Sequence, residues 1–452
     1  MTGAEAAAIP VSTAPAAGLR RQLGLGSAAA AVAGEAIGVG IFLTPAAMAK
    51  SLGSPFWLLA VWLGMGAMTM SGALCYGELA GRFPRPGGSY VYLQETFGPR
   101  LAFLYGWMCL LVLDPGLTAA LATGTAGYAA YIFHWSPVAI KLAAVSSIWA
   151  LCLLNVLSTR LSAGFLRSIT WLKFGVLALL TIWAIAFHRG EWSNFLPFFA
   201  QRAGSLPLIP ALGGGMVAAF FSFGGWWDVS KIAGEVRDPG RTVPRALVLG
   251  VLAVTAAYVL ISAVFVYLVP LNRVTSDDTF VAQAGEVLFG PAGGVVLAAI
   301  VVVCVLGSMA ALIMSAPRVY FAMAQDGLFL PAVARISPRF GTPALAVAIL
   351  GCVSSVLVLL GTFQQIIAYF VFAAVAFLGL TVAGLFFLRA RREASGLSLR
   401  APGYPFTPIA FLAMVALLLT LLMARSPREG LLGCAVVLAG VPVYSAFGRR
   451  KA

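Results

Sequence analysis

GEAIGVGIFLTP, residues 34–45, and FSFGGWW, residues 221–227, set runs of glycine inside segments otherwise apolar enough to cross a bilayer. Glycine is a poor helix former and leaves the backbone open to close approach. Unpaired backbone in hydrocarbon is so costly that it persists only where it lines a cavity. Two interruptions of this kind in matching halves of one chain therefore predict two helices broken at mid-membrane around a small polar solute.

The rest of the chain fits that reading. Its 452 residues are 61% hydrophobic and 10% charged, with a mean hydropathy of +0.97, which lies outside the range of water-soluble globular proteins. Apolar windows of about 20 residues, matched to about 30 Å of hydrocarbon, predict spans. Twelve such windows fall near residues 24–50, 54–80, 101–131, 138–158, 162–187, 207–233, 244–269, 287–323, 343–361, 364–388, 405–424 and 429–447. The glycine-broken spans are the first and the sixth, each opening a set of five. That spacing predicts an all-α membrane protein with a 5+5 inverted repeat and two appended spans. The expected divisions are a disordered cytoplasmic tail over 1–22, a ten-span core over 23–390, and two further spans with the C-terminus over 391–452. The first 18 residues, rich in Ala, Pro, Ser and Thr, carry the argument for the tail.

The net charge of +14 reports topology. Arginines such as Arg82, Arg85, Arg160, Arg237, Arg241, Arg245, Arg335, Arg389 and Arg449 fall on one side of the twelve-span arrangement, while the other holds chiefly Lys50, Arg189, Arg202, Arg273, Arg425 and Arg428. The asymmetry places both termini in the cytoplasm of a multi-pass protein of the cytoplasmic (inner) membrane. Anionic lipid headgroups are the only electrostatic partner it implies, and no nucleic acid is expected. The six cysteines lie inside predicted spans at no metal-ligand spacing and read as buried small hydrophobes. No catalytic motif appears, the two histidines His134 and His188 fall near outer loops, and no enzyme activity, cofactor or metal is expected. Repeated pore-loop segments of a channel are also missing from the sequence.

Four stretches carry a resemblance: GVGIFLTP (38–45), CYGELAGRFPRPGGSYVYLQETFG (75–98), FSFGGWWDVSKIAGEVRDPGRTVPRA (221–246) and PRVYFAMAQDGLFLP (317–331). In this order they resemble the amino acid permeases of the amino acid-polyamine-organocation superfamily, and most of all the L-type family and its bacterial relatives. The resemblance implies a LeuT-type fold with alternating access to a central amino acid site.

An amino acid in hydrocarbon needs partners for both its carboxylate and its ammonium, since burying either unpaired is prohibitive. A broken helix offers both. Backbone N–H groups opening the outer half, around Val39, Gly40 and Ile41, suit the carboxylate. Carbonyls ending the inner half, around Ala36 and Ile37, with those of Phe221 and Ser222, suit the ammonium. The family's substrate contacts fall on the same positions. By resemblance Phe221 is an aromatic gate, and Gly224 and Trp227 bound the side-chain pocket. Trp227 and Asp228 stand where the family commonly has Asn or Tyr.

Ionisable residues inside spans are functional candidates, because a charge at a helix centre costs about 2.5–3.5 kcal/mol even on insertion scales. Lys173 lies about 16 Å of helix into the fifth span. It matches a lysine that in sodium-independent members stands in for a sodium ion, and Ser308 is expected beside its ammonium; the pair is the coupling candidate. Glu35 and Asp114 are possible charge partners, able to pair with Lys173, move a proton or select a cationic group. Pro115 is expected to kink the third span. Glu78 and Glu235, among arginines, read as intracellular gate ion pairs or as plain interfacial ones.

Animal L-type members hold a glycoprotein subunit through a cysteine between the third and fourth spans. The corresponding loop, YIFHWSPVAIK (131–141), has none, so no disulfide-linked heavy subunit is expected. The function expected is secondary active, sodium-independent transport of L-amino acids, by exchange or proton symport. A polyamine or amine antiporter and a non-transporting amino acid sensor are the alternatives on the same fold.

Overall fold

Where no water reaches the backbone, every N–H and C=O must be paired within the segment, and long apolar runs fold as helices. The computed structural model describes residues 19, 21–38, 40–274, 279–360, 363–391, 400–425 and 427–448. Among them the only strand-like pairing is an isolated parallel bridge between Leu23 and Val236. The α-helices are α1 (Leu25–Ala36), α2 (Gly40–Leu52), α3 (Pro55–Arg82), α4 (Ser89–Phe97), α5 (Pro99–Met108), α6 (Asp114–Phe133), α7 (Pro137–Leu157), α8 (Thr159–Ala186) and α9 (Leu208–Phe223). They continue as α10 (Pro239–Leu268), α11 (Thr279–Phe289), α12 (Gly293–Ser315), α13 (Pro317–Gln325), α14 (Ala344–Leu360), α15 (Phe363–Ala390), α16 (Phe406–Arg425) and α17 (Pro427–Gly448).

Nine helical segments among the described residues are long and apolar enough to cross a membrane. The 28 residues of α3 make about 42 Å at 1.5 Å per residue, ample for about 30 Å of hydrocarbon. Two shorter apolar helices, Ala344–Leu360 and Gly430–Ser445, accompany them. The chain is an all-helical, multi-pass membrane protein.

Both glycine-rich interruptions break their helices. At the first, α1 stops at Ala36, Ile37 leaves helical backbone with ψ 78°, and α2 restarts at Gly40. At the second, α9 ends at Phe223, Gly224 is extended at ψ 145°, and Gly225 takes the left-handed φ of 96° that glycine tolerates. The chain beyond does not resume as the α-helical half that the break predicts. It runs as two 3-10 turns, Trp226–Ser230 and Ala233–Glu235. With three residues per turn, positions i and i+3 eclipse, and this brings Lys231 Nζ to 2.8 Å from Asp228 Oδ2. The third span widens into a π-helical turn over Cys109–Leu113 just before Asp114. Pro115 has no N–H for the carbonyl four residues back, and the wider turn absorbs the gap.

Around the breaks, α1 packs against α8, α10 and α12, α2 against α9, and α6 against α12 and α15. Residues 1–22, read as a tail, lie outside the described residues except Leu19, Arg21 and Gln22. The Gln22 and Leu23 N–H groups both donate to Glu235 O, at 2.8 and 3.0 Å. Cys75, Cys109, Cys152 and Cys304 are buried as expected, but Cys352 is exposed and Cys434 partly exposed. Those two sit on α14 and α17, where an apolar thiol can face lipid as readily as protein.

Candidate functional site

The two breaks face each other. A Cβ on Gly40 would lie 2.6 Å from Ser222 Cα, so only glycine lets α2 and α9 come this close. Thr44 Oγ1 lies 2.7 Å from Ser222 Oγ and 2.5 Å from Gly40 O, tying the restart of α2 to the end of α9. The buried Tyr258 hydroxyl of α10 sits 2.6 Å from Ala36 O and 2.5 Å from Ser222 O. Having one proton, it donates to one carbonyl at a time and bridges the two frayed ends.

A cavity of about 40 Å³, room for about three water-sized bodies, opens between them. Its walls are Glu35, Ala36, Gly38 and Gly40 from the first break and Phe220, Phe221, Ser222, Gly224 and Trp227 from the second. Leu113, Leu117, Leu121, Val371 and Ala374 close the apolar side. Of the predicted contacts, Ala36, Gly40, Phe221, Ser222, Gly224 and Trp227 thus meet at one cavity. Ile37 is fully buried behind it. Val39 and the Ile41 side chain lie outside the described residues. The carbonyls expected to hold an ammonium already have partners: Phe221 O accepts from Gly224 N–H at 3.1 Å, Ala36 O and Ser222 O share Tyr258, and Ile37 O belongs to Lys173.

Lys173 is fully buried. Its ammonium donates to Gly34 O at 2.6 Å, Ile37 O at 2.6 Å and Ser308 Oγ at 2.9 Å. All three donors are thereby used. Ser308 Oγ itself lies 2.7 Å from Gly34 O and 3.0 Å from Ile37 O. The Lys173–Ser308 pairing expected from the sequence is present, at the C-terminal end of α1, where carbonyls lack helical partners and a cation is favoured.

The two candidate acids are placed differently from one another. Asp114 is held by Lys231, whose Nζ lies 2.8 Å from Oδ1, and by Tyr320, whose hydroxyl is 3.2 Å from Oδ2. Lys231 also reaches Asp228 Oδ2 at 2.8 Å, and Ser315 Oγ donates to that same oxygen at 3.2 Å. All three charged groups are at most 2% exposed. Lys231 was missed in the sequence because it falls near the predicted end of the sixth span, where a lysine ordinarily reaches water. The eclipsed spacing from Asp228 was the available signal. Glu35 lines the cavity, its carboxyl lying against Gly225 of the second break.

At the arginine-rich end, Glu78 binds Arg82 at 2.7 Å and also Arg389, and accepts from Ala401 N–H at 2.7 Å. Glu235 pairs with Arg318 at 2.7 Å, and Arg318 reaches Asn155 Oδ1 at 3.3 Å. Both acids are buried. Arg237 N–H returns to Leu23 O at 2.8 Å, so the entry to α1 is fastened to the segment after the second break.

The chain is 28% identical over 439 residues to the serine/threonine exchanger SteT of Bacillus subtilis (strain 168), spanning 96% of this chain and 98% of that protein. It is 26% identical over 438 residues to the human b(0,+)-type amino acid transporter 1, spanning 96% and 89%. With the human cystine/glutamate transporter it shares 27% over 434 residues, spanning 95% and 85%. The amino acid permease model matches residues 23–438, from the entry of α1 into α17. The chain belongs to the amino acid permease family.

Proposed function

We propose that this protein is a secondary active transporter that moves L-amino acids across the cytoplasmic (inner) membrane by alternating access, independently of sodium. It works as an exchanger or as a proton-coupled symporter. The observation that carries the reading is the pair of helix breaks, at 36–40 and 224–226, opening on one cavity.

The fold proposed is LeuT-type. Counting α1 with α2 as one broken span and adding α14 and α17 to the nine long segments supports twelve spans. Both termini are cytoplasmic, as the arginine distribution argues. The core is 23–390, with the last two spans appended.

In the bound state, the substrate carboxylate meets the N–H groups opening α2, at Val39, Gly40 and Ile41. Its ammonium meets the Phe221 and Ser222 carbonyls, which each keep a lone pair, and reaches those of Ala36 and Ile37 as their present donors, Gly38 N–H, Tyr258, Lys173 and Ser308, move aside. Phe221 closes over it, and Gly224 and Trp227 bound its side chain. A cavity of about 40 Å³ must widen to admit a whole amino acid, a task that suits Phe221. Lys173 with Ser308 supplies a fixed positive charge where a sodium ion would otherwise sit. The loop over 131–141 has no cysteine, and we expect no disulfide-linked partner.

Counterflow into proteoliposomes tests this. Labelled serine, threonine, cystine and large neutral amino acids are offered to vesicles loaded with the unlabelled compound, with sodium or with choline. Saturable counterflow indifferent to sodium is expected. Sodium dependence would remove the role given to Lys173, binding without flux would indicate a sensor, and polyamine flux alone an amine antiporter.

A further inference from the structure

Around the two breaks, three carboxyl groups, Glu35, Asp114 and Asp228, are buried with two ammonium groups, Lys173 and Lys231. Fully ionised, the set carries one uncompensated negative charge in a region walled by apolar side chains. Burying such a charge is prohibitive unless a counter-ion joins it.

The hydrogen bonds say where the excess lies. Asp114 Oδ1 accepts from Lys231, and its Oδ2 shares the single Tyr320 hydroxyl proton with Cys109 O, each at 3.2 Å. Lys173 spends its donors on carbonyls and a hydroxyl. Glu35 Oε1 and Asp228 Oδ1, by contrast, are buried without a hydrogen-bond partner, on side chains only 6% and 2% exposed. Both residues meet the second break at Gly225: a Cβ there would lie 2.7 Å from the Glu35 carboxyl carbon, and Asp228 N–H donates to Gly225 O at 2.9 Å.

We propose that Glu35 and Asp228 form a carboxyl pair that binds one proton between them, loaded together with substrate and released on the opposite side of the membrane. This rests on the transport reading and selects proton symport within it. Loading forms one O–H bond between a solvent proton and a carboxylate oxygen of the pair. Unloading breaks that bond and returns the proton to water. One proton supplies a donor to the pair and brings the five-group set to neutrality. A cationic substrate group in the cavity fits less well, because it reaches Glu35, which lines the cavity, but not Asp228, which does not.

The groups facing the pair come from every neighbouring element. Lys231 follows the second break, Asp114 lies in the third span and Lys173 on α8. Tyr76 on α3, Tyr105 on α5, Cys109 in the π-turn and Tyr320 on α13 surround Asp228 and Asp114 without adding charge. Glu35 is the member with access to the cavity, so substrate arrival and departure control whether the proton can exchange.

The test combines two measurements on the full chain. In proteoliposomes holding a pH-sensitive dye, a gradient of L-serine or L-leucine, whichever gives counterflow, should acidify the lumen in the wild type. Glu35→Gln should lose that acidification. Its uptake should become flat between about pH 5.5 and about pH 7.5, where the wild type changes roughly threefold or more. Infrared difference spectra of the purified protein should show a protonated-carboxyl C=O band that titrates, and that disappears in Glu35→Gln and shifts in Asp228→Asn. Wild-type amino acid flux with no proton movement would overturn the proposal while leaving the transporter reading intact. Absence of the titrating band would overturn it even in a protein that moves no amino acid, and persistence of the band and proton flux in Glu35→Gln would overturn the assignment to this pair.

Discussion

Lys173 and Lys231 are both buried ammonium groups beside a helix break, and their surroundings are opposites. Lys173 is held by two carbonyls and a hydroxyl, with no ion pair. Lys231 is held by two carboxylates that have little else to neutralise them. A cation in a cage of neutral dipoles leaves only unmade hydrogen bonds behind when it is removed. A cation between two carboxylates is a fastening, because removing it leaves charges in a low-dielectric interior. The same residue type is thus held by neutral dipoles at one break and by an ion-pair network at the other.

Removing each lysine should separate these roles. Lys231→Met leaves Asp114 and Asp228 buried and unpaired and should cost about 3–5 kcal/mol, seen as the largest fall in the thermal unfolding temperature of the detergent-purified protein. Lys173→Ala should lose less stability, about 1.5–3 kcal/mol for hydrogen bonds to a charged group. It should nonetheless abolish uptake. Equal unfolding shifts, or unchanged uptake in Lys173→Ala, would erase the contrast.

Tyr258→Phe sharpens it from the neutral side. The change strips the hydroxyl shared by Ala36 O and Ser222 O and should cost about 1–3 kcal/mol, with weaker substrate binding by titration calorimetry. Arg85→Ala, at the exposed Arg85–Glu95 pair, provides the floor of the series. It should shift unfolding by no more than about 0.5 kcal/mol.

The parts legible in the sequence were those that a bilayer imposes. Apolar length located the spans, and glycine runs at 34–45 and 221–227 located the breaks, since few other residues tolerate φ 96° at Gly225 or the approach of Gly40 to Ser222. Lys173 was visible because its depth denies it water, and Ser308 through the resemblance. Lys231 was hidden by its position near a predicted span end. Its importance depends on 3-10 turns that align it with Asp228, and such turns leave no hydrophobic period to read. Tyr258 and Arg318 were hidden for another reason: an aromatic or arginine inside an apolar run declares its partner only when distant spans meet, here α10 with the ends of α1 and α9, and α13 with Glu235. Pairing with Lys173 was one of three roles left open for Asp114, and in the fold its partner is Lys231.

The central claim is that the ends of two broken helices hold both charged ends of an amino acid. It is tested most directly by competition. Uptake of a labelled amino acid into proteoliposomes is challenged with an excess of the decarboxylated amine and of the deaminated acid of the same side chain. The account predicts that neither competes while the intact amino acid does. Inhibition by the amine as strong as by the parent compound would contradict it, since the backbone N–H groups opening α2 would then hold nothing.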